Sequence, residues 1–140
     1  MNNKKKVAIY CRVAREDDEI IKMQEAVLQK FAEENHYNNI SVYADNGFNG
    51  LNFNRPAFNR LNNDISAGII ETVIIKYVSR ISRNCLDLFK WVDNIRNKGV
   101  ALKSIVDDVD NDYLHEMTII IQQAYKKYRA NQRAQNNVAH

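Results

Sequence analysis

The sequence predicts an α/β fold in which helices flank an open, mainly parallel sheet of about four strands, with a long helix at the C-terminal end. Four short apolar runs rich in β-branched residues alternate with segments whose apolar residues recur at helical spacing. Strands joined by helices pair in parallel, and near-continuous apolar strands are typical of a sheet that is covered on both faces. Ligands bind such sheets at the carboxyl ends of the strands, so functional residues are expected there.

Length and composition fit one domain over residues 1–140. The chain has 140 residues, of which 45% are apolar and 26% charged. Since no long apolar run or secretory signal is present, we expect a cytoplasmic protein without a membrane span. The 2 cysteines and 3 histidines lack metal-ligand spacing, which predicts reduced thiols and no metal site. The net charge of +3 permits a nucleic-acid partner without requiring one.

The predicted strands cover residues 6–13, 40–44, 72–77 and 100–106. In the first strand, period-two alternation puts Tyr10, Arg12 and Ala14 on one face and Cys11 on the other. An arginine inside a covered sheet needs a partner. Asp45, at the end of the second strand, is the candidate, and a structural ion pair with Arg12 is the simplest interpretation.

Three helices are predicted between these strands. The first covers about residues 18–35, and its apolar residues form two adjacent stripes, Ile20, Met23, Val27 and Phe31 beside Ile21, Leu28 and Ala32. Pro56 begins the second helix, which stops at Gly68. Asn84 caps the third helix, which stops at Gly99.

The last helix is predicted from about residue 112 onward. Its apolar stripe consists of Leu114, Met117, Ile121 and Tyr128. Packing against a second copy and folding back on the chain's own sheet would hide this stripe equally well. The end of the helix carries four basic residues and no acidic one, namely Lys126, Lys127, Arg129 and Arg133. A solvated helix end and a contact with nucleic acid both explain that composition.

Arginines collect where the predicted strands end and where the second helix starts. Arg12 lies near the end of the first strand, and Arg55 directly precedes Pro56. Arg80 and Arg83 follow the third strand, three residues apart, which places them on one face of a helical turn. Guanidinium groups bind phosphate oxygens through two donors at once, so this pattern favours a phosphate-binding cluster over scattered surface arginines.

Two common uses of this architecture are excluded by residue type. The sequence contains neither G-x-G-x-x-G nor G-x-x-x-x-G-K-[ST], so no nucleotide cofactor is expected.

Five segments resemble the N-terminal catalytic domain of the serine site-specific recombinases, the resolvases and invertases. They are AIYCRV at 8–13, YADNGFNG at 43–50, RPAF at 55–58, RISRN at 80–84 and GV at 99–100. In that family a serine two residues after the first-strand arginine attacks a DNA phosphodiester, and arginines stabilise the charge on phosphorus without a metal ion. The resemblance implies the DNA backbone as partner and no cofactor.

The resemblance also implies roles for individual residues. It assigns phosphate stabilisation to Arg12, Arg55, Arg80 and Arg83, their orientation to Asp45, and a first-helix DNA contact to Gln24. The last helix resembles the family's dimerising helix, which implies a homodimer or tetramer. We expect residues 1–140 to hold the catalytic domain without a DNA-reading domain.

Two departures from the family pattern bear on its chemistry. Ala14 stands at the position of the nucleophile, and a methyl group cannot attack phosphorus. Ser79 stands where the family has a carboxylate before Arg80. The sequence therefore predicts a catalytic domain for site-specific DNA recombination that does not cleave as written. Three explanations of these departures stay open. The chain is a naturally degenerate DNA-binding or regulatory pseudoenzyme, an active recombinase silenced by a change to Ala14, or a fold relative without a role on DNA.

Overall fold

The computed structural model describes residues 5–48, 55–82, 84–106, 119–120, 123–124 and 126–134. The strands are β1 (Lys6–Val13), β2 (Ile40–Asn46), β3 (Ile70–Ile75) and β4 (Ala101–Ser104). The helices are α1 (Asp18–Glu34), α2 (Pro56–Ser66) and α3 (Cys85–Asn97), with a short 3-10 helix (Val78–Arg80) after β3. The described residues from 119 onward are helical as well.

The sheet confirms the predicted fold class. Within the described ranges it has 4 strands in the order β2-β1-β3-β4, and every pair is parallel. Buried residues of α1 pack on one face, and those of α2 and α3 pack on the other. The strand order reverses between β1 and β3, and ligands of open α/β sheets bind beyond the carboxyl ends of the strands at such a point.

The predicted strand ends differ from the observed ones by one or two residues at several points. β2 extends beyond the apolar run through Asp45 and Asn46, because β1 continues to pair with it, Arg12 opposite Asp45 and Val13 opposite Asn46. β3 begins earlier, at Ile70, and ends before the predicted residue 77. Backbone pairing with a neighbour decides these ends, and a pattern of apolar residues does not record it.

The predicted helix signals are confirmed. The Asn84 side chain caps α3 by accepting a hydrogen bond from the Asp87 N–H at 3.2 Å, and Pro56 is the first residue of α2. Gly68 and Gly99 follow the ends of α2 and α3, and both have φ of +77°. This left-handed conformation favours glycine and stops the helix.

One of the two apolar stripes predicted on α1 is buried against the sheet, and of the other stripe only Phe31 packs against the core, partly buried. Ile21, Leu28 and Ala32 are buried. Ile20, Met23 and Val27 remain exposed at 48%, 68% and 49%. A helix that lies on one face of a sheet covers a limited arc of its own surface, so an apolar arc wider than the contact leaves side chains outside.

The larger core lies between the sheet and helices α2 and α3. Phe58 of α2 is fully buried. Its ring centroid lies 5.3 Å from that of Tyr10 on β1 and 5.4 Å from that of Trp91 on α3. This aromatic stack therefore joins the central strand to both helices on that face.

The C-terminal segment is described in part. All of its described residues are exposed, including Tyr128 at 60%. Leu114, Met117 and Ile121 of the predicted stripe, and the predicted start near residue 112, lie outside the described residues. Among the described helices, none has the length and apolar composition needed to span a membrane.

Truncation of Phe58 tests this description of the core. Phe58→Ala should lower the free energy of unfolding by about 3–5 kcal/mol, because it removes the ring that joins Tyr10 to Trp91. Met23→Ala, a matched change at an exposed apolar residue, should alter it by no more than about 0.5 kcal/mol. Urea denaturation followed by circular dichroism measures both. Equal losses in the two variants would contradict the assignment of core and surface.

Candidate active site

Charged side chains are buried at the carboxyl ends of β1 and β2, beneath the start of α2. Arg12 and Arg55 are each 1% exposed, and Asp45 is 2% exposed. Burial of charged groups is costly unless hydrogen bonds replace the lost water. Their partners therefore define what this cluster does.

The carboxylate of Asp45 caps helix α2 from a neighbouring strand. It accepts the N–H of Ala57 at 2.8 Å and the N–H of Phe58 at 3.0 Å. These two amides belong to the first turn of α2 and have no partner within the helix. Arg55, the residue at the N-cap position, makes no side-chain cap bond. A negative charge at this helix end is also favoured by the helix dipole.

The hydroxyl of Tyr10 links Asp45 to Arg55. It donates to Asp45 Oδ2 at 2.7 Å and accepts from Arg55 Nη1 at 3.0 Å. The pKa of Tyr10 is raised above its usual range, mainly by burial and secondly by the hydrogen bond to Asp45. The phenol therefore stays protonated and keeps donating to the carboxylate at neutral pH.

Arg55 directs its guanidinium group at the main chain that follows the 3-10 helix. Nη1 donates to the Arg80 carbonyl oxygen at 2.8 Å, and Nη2 donates to the Ile81 carbonyl oxygen. The guanidinium carbon lies 4.3 Å from the Phe58 ring centroid. Burial lowers the pKa of Arg55, whereas Tyr10 and Asp45 raise it. Arginine nevertheless remains charged at neutral pH.

Arg12 reaches the same region from β1. Its Nε donates to the Arg80 carbonyl oxygen at 3.1 Å, and its Nη1 donates to the Phe48 carbonyl oxygen at 2.9 Å. One carbonyl oxygen thus accepts hydrogen bonds from two arginines. Arg12 is opposite Asp45 in the strand register, as the sequence suggested, but the hydrogen bonds described for the carboxylate go to Tyr10 and to α2.

The side chain of Arg80 is half-buried at the edge of this cluster. Its guanidinium carbon lies 5.4 Å from the Tyr77 ring centroid. Its buried Nε has no hydrogen-bond partner among the described residues. Burial, followed by the charge of Glu25, raises the pKa of Cys11 to about 12, while the charge of Arg80 acts in the opposite direction. An unsatisfied buried donor of this kind calls for a partner, and an anion would supply one.

The cluster carries more positive than negative charge. Arg12, Arg55 and Arg80 stand against the single carboxylate of Asp45, which leaves an excess of two positive charges. Crowding like charges in a partly buried site costs free energy that a bound anion would relieve. The arrangement therefore suits a phosphate or another multivalent oxyanion.

The remaining predicted residues lie around this cluster or outside the described ranges. Ala14 is exposed just beyond the end of β1, and Gln24 is half-buried on α1. Ser79 belongs to the 3-10 helix, and Arg83 lies outside the described residues.

The four basic residues of the C-terminal helix, Lys126, Lys127, Arg129 and Arg133, are exposed. Three of them line a shallow surface depression of about 300 Å³, namely Lys126, Arg129 and Arg133. Spacing of three and four residues puts these three on one side of the helix. That side therefore presents a stripe of positive charge.

Tyr10 is the site residue that the sequence analysis missed. The strand alternation placed it on the face of Arg12, but no role was assigned to it. A buried tyrosine hydroxyl needs a hydrogen-bond partner, so its position two residues before a buried arginine was an available signal. Among the described residues, no group of three or more metal-ligating side chains is close enough to hold an ion.

Comparison with known proteins identifies the family to which this chain is similar. The family profile described as the resolvase N-terminal domain matches residues 7–139, almost the whole chain. A Bacillus subtilis (strain 168) protein, whose name describes it as a DNA recombinase, is 36% identical over 101 residues, which make up 69% of this chain. A resolvase of Clostridium perfringens is 38% identical over 58 residues, or 41% of this chain. The chain spans only 19% and 30% of the length of these two relatives.

Solved structures share the architecture. The N-terminal catalytic domain of TP901-1 integrase aligns with a TM-score of 0.76 at 29% identity, covering 92% of this chain and 99% of that domain. A resolvase family site-specific recombinase from Streptococcus pneumoniae aligns with a TM-score of 0.72 at 28% identity, covering 95% and 93% of the two chains. With the match to the family profile, these similarities establish that the chain belongs to the serine site-specific recombinases, as an N-terminal catalytic domain of the resolvase and invertase type.

Proposed function

We propose that this chain is a recombinase catalytic domain that binds the DNA backbone in its arginine cluster and, with Ala14 in place of a nucleophile, does not cleave it. The observation that carries the proposal is the excess of positive charge at the carboxyl ends of β1 and β3, where Arg12 and Arg55 are buried and Arg80 is half-buried. The buried Nε of Arg80, which has no hydrogen-bond partner among the described residues, adds to it. The two non-bridging oxygens of a phosphodiester share one negative charge and match the paired donors of a guanidinium group. Arg12, Arg55, Arg80 and Arg83 with Asp45 make up the proposed pocket.

The cluster would stabilise charge at phosphorus without rearranging during reaction. Asp45 holds Tyr10 and α2, and the arginines are anchored on carbonyl oxygens, so the donors are fixed before DNA arrives. Donors fixed in this way are effective where negative charge develops in a transition state. Cleavage would need a hydroxyl at residue 14, whose oxygen forms a bond to phosphorus as the bond to the 3′ oxygen breaks and that oxygen takes up a proton. The methyl group of Ala14 supplies no such oxygen.

A second contact with DNA is proposed for the C-terminal helix. Lys126, Lys127, Arg129 and Arg133 would follow the phosphate backbone, and Gln24 of α1 would add a polar contact near the pocket. The apolar stripe of the same helix would pair two copies into a dimer, or four into a tetramer, in the cytoplasm.

Among the alternatives, Ser79 favours natural degeneracy. Silencing a recombinase requires one substitution at the nucleophile, whereas this chain also departs from the family at Ser79. A carboxylate before Arg80 would help to orient that arginine, and a serine does so less firmly. We therefore place the degenerate DNA-binding relative ahead of the silenced enzyme.

DNA binding should be modest and strongly dependent on salt. A domain with backbone contacts alone should bind a short duplex with Kd of about 10⁻⁴ to 10⁻⁶ M, weakening as salt rises because bound counterions are released. Arg80→Ala should reduce the slope of log Kd against log salt by about one. Arg96→Ala changes an exposed arginine in the last turn of α3, at the opposite edge of the sheet, and should leave the slope unchanged. Fluorescence anisotropy measures each slope, and binding that is absent or indifferent to salt would refute the proposal.

Restoring the missing groups should separate degeneracy from silencing. We expect Ala14→Ser combined with Ser79→Asp to form a covalent DNA adduct on a supercoiled plasmid carrying the cognate site, and Ala14→Ser alone to form none. A denaturing gel detects the adduct. An adduct with Ala14→Ser alone would favour a silenced enzyme instead. An adduct with the unchanged protein would contradict the claim that Ala14 prevents cleavage.

A further inference from the structure

The Arg55 side chain faces the interior of the site. We propose that Arg55 is a positioning residue, which fixes the main chain at Arg80 and Ile81 so that the Arg80 side chain meets the phosphate. The inference rests on the proposed function, and it changes the role that the family resemblance implies for Arg55 from phosphate ligand to support.

Both terminal nitrogens of Arg55 are engaged with acceptors of the protein. Nη1 donates to the Tyr10 hydroxyl and to the Arg80 carbonyl oxygen, and Nη2 donates to the Ile81 carbonyl oxygen. The fork geometry of guanidinium matches adjacent acceptors, so it suits two consecutive carbonyls as well as it suits a phosphate. Nη1 has two N–H groups and two acceptors, so a phosphate oxygen could take Nη1 only by displacing one of them.

The surroundings of Arg55 also keep it away from a large ligand. Its side chain is 1% exposed, and its guanidinium carbon lies 4.3 Å from the Phe58 ring centroid and 5.6 Å from the Tyr10 ring centroid. Two aromatic rings therefore cover this cation. Arg80, in contrast, is half-buried, so a ligand can reach it. The buried Nε atoms of Arg55 and Arg80 both lack a hydrogen-bond partner among the described residues, so exposure is what distinguishes the two arginines.

The segment that Arg55 holds is the one that carries Arg80. Within the 3-10 helix, the Arg80 N–H donates to the Tyr77 carbonyl and the Ile81 N–H donates to the Val78 carbonyl, each at 3.0 Å. The carbonyls at the end of such a helix have no partner within it and are stabilised by cations. Arg55 supplies that cation for Arg80 and Ile81. Its effect on DNA is therefore exerted through the main chain that presents the Arg80 side chain.

A double-mutant cycle tests whether Arg55 acts through Arg80. Arg55→Lys keeps the positive charge but loses the planar fork. It should weaken binding of a short duplex about tenfold in the parent protein and less than about twofold in an Arg80→Ala background. The reason is that the effects of substituting two residues that act as one unit do not add. Arg96→Lys is the matched control and should leave affinity unchanged in both backgrounds. Equal losses in the two backgrounds would show that Arg55 contacts phosphate itself.

A measurement without DNA tests the positioning independently of the proposed function. Trypsin cleaves after arginine, so the rate at which it cuts the Arg80–Ile81 bond reports local opening of this segment. Mass spectrometry of timed digests should show about tenfold faster cleavage at this bond in Arg55→Lys than in Arg96→Lys. An unchanged rate in folded Arg55→Lys, as judged by circular dichroism, would overturn the inference.

If Arg55→Lys does not fold, Tyr10→Phe replaces it. This variant removes one acceptor of Arg55 Nη1 together with the donor to Asp45, and it keeps the ring in the core. It should speed cleavage after Arg80 by about threefold, and an unchanged rate would again overturn the inference. A parent protein that binds no DNA would refute the proposed function, while the trypsin result would still decide the role of Arg55.

Discussion

One buried carboxylate organises the site. Asp45 accepts the Tyr10 hydroxyl from β1 and two amides from the first turn of α2, so three elements meet at its two oxygens. Without that carboxylate, the N–H groups in the first turn of α2 would be buried without hydrogen-bond acceptors. Arg55 directly precedes α2, and Tyr10 lies two residues before Arg12. The same carboxylate therefore fixes the backbone positions from which both arginine side chains extend.

The arginines in turn anchor the main chain after β3. Arg12 and Arg55 approach from different elements and converge on one carbonyl oxygen, that of Arg80. Such convergence holds like charges close together, and a protein tolerates this where an anion is to be bound. The position is also the one that topology favours, because the strand order reverses between β1 and β3 at this edge. Charge and topology therefore both support the proposed oxyanion site.

Most of the fold could be predicted from the sequence, and much less of the site. Alternation and helical spacing predicted each strand and helix of the sheet, and Pro56 and Asn84 predicted helix starts, because these signals are local. The pattern did not predict which stripe of α1 packs, since the arc covered depends on the partner surface. It paired Asp45 with Arg12 but missed that the carboxylate caps α2 through the amides of Ala57 and Phe58. It also missed that Arg55 holds carbonyl oxygens, because main-chain acceptors carry no sequence signature.

The stability of an Asp45→Asn variant tests the central claim most directly. The amide keeps the size of the side chain but removes its charge and places an N–H₂ group against groups that donate to it. If Asp45 organises the site, urea denaturation should show a loss of about 3 kcal/mol in the free energy of unfolding, as for other buried charges deprived of a partner. Asp64→Asn, where the carboxylate accepts only the hydroxyl of Tyr43 among the hydrogen bonds described, should lose less than about 1.5 kcal/mol. Equal stability of Asp45→Asn and the parent protein would contradict the account.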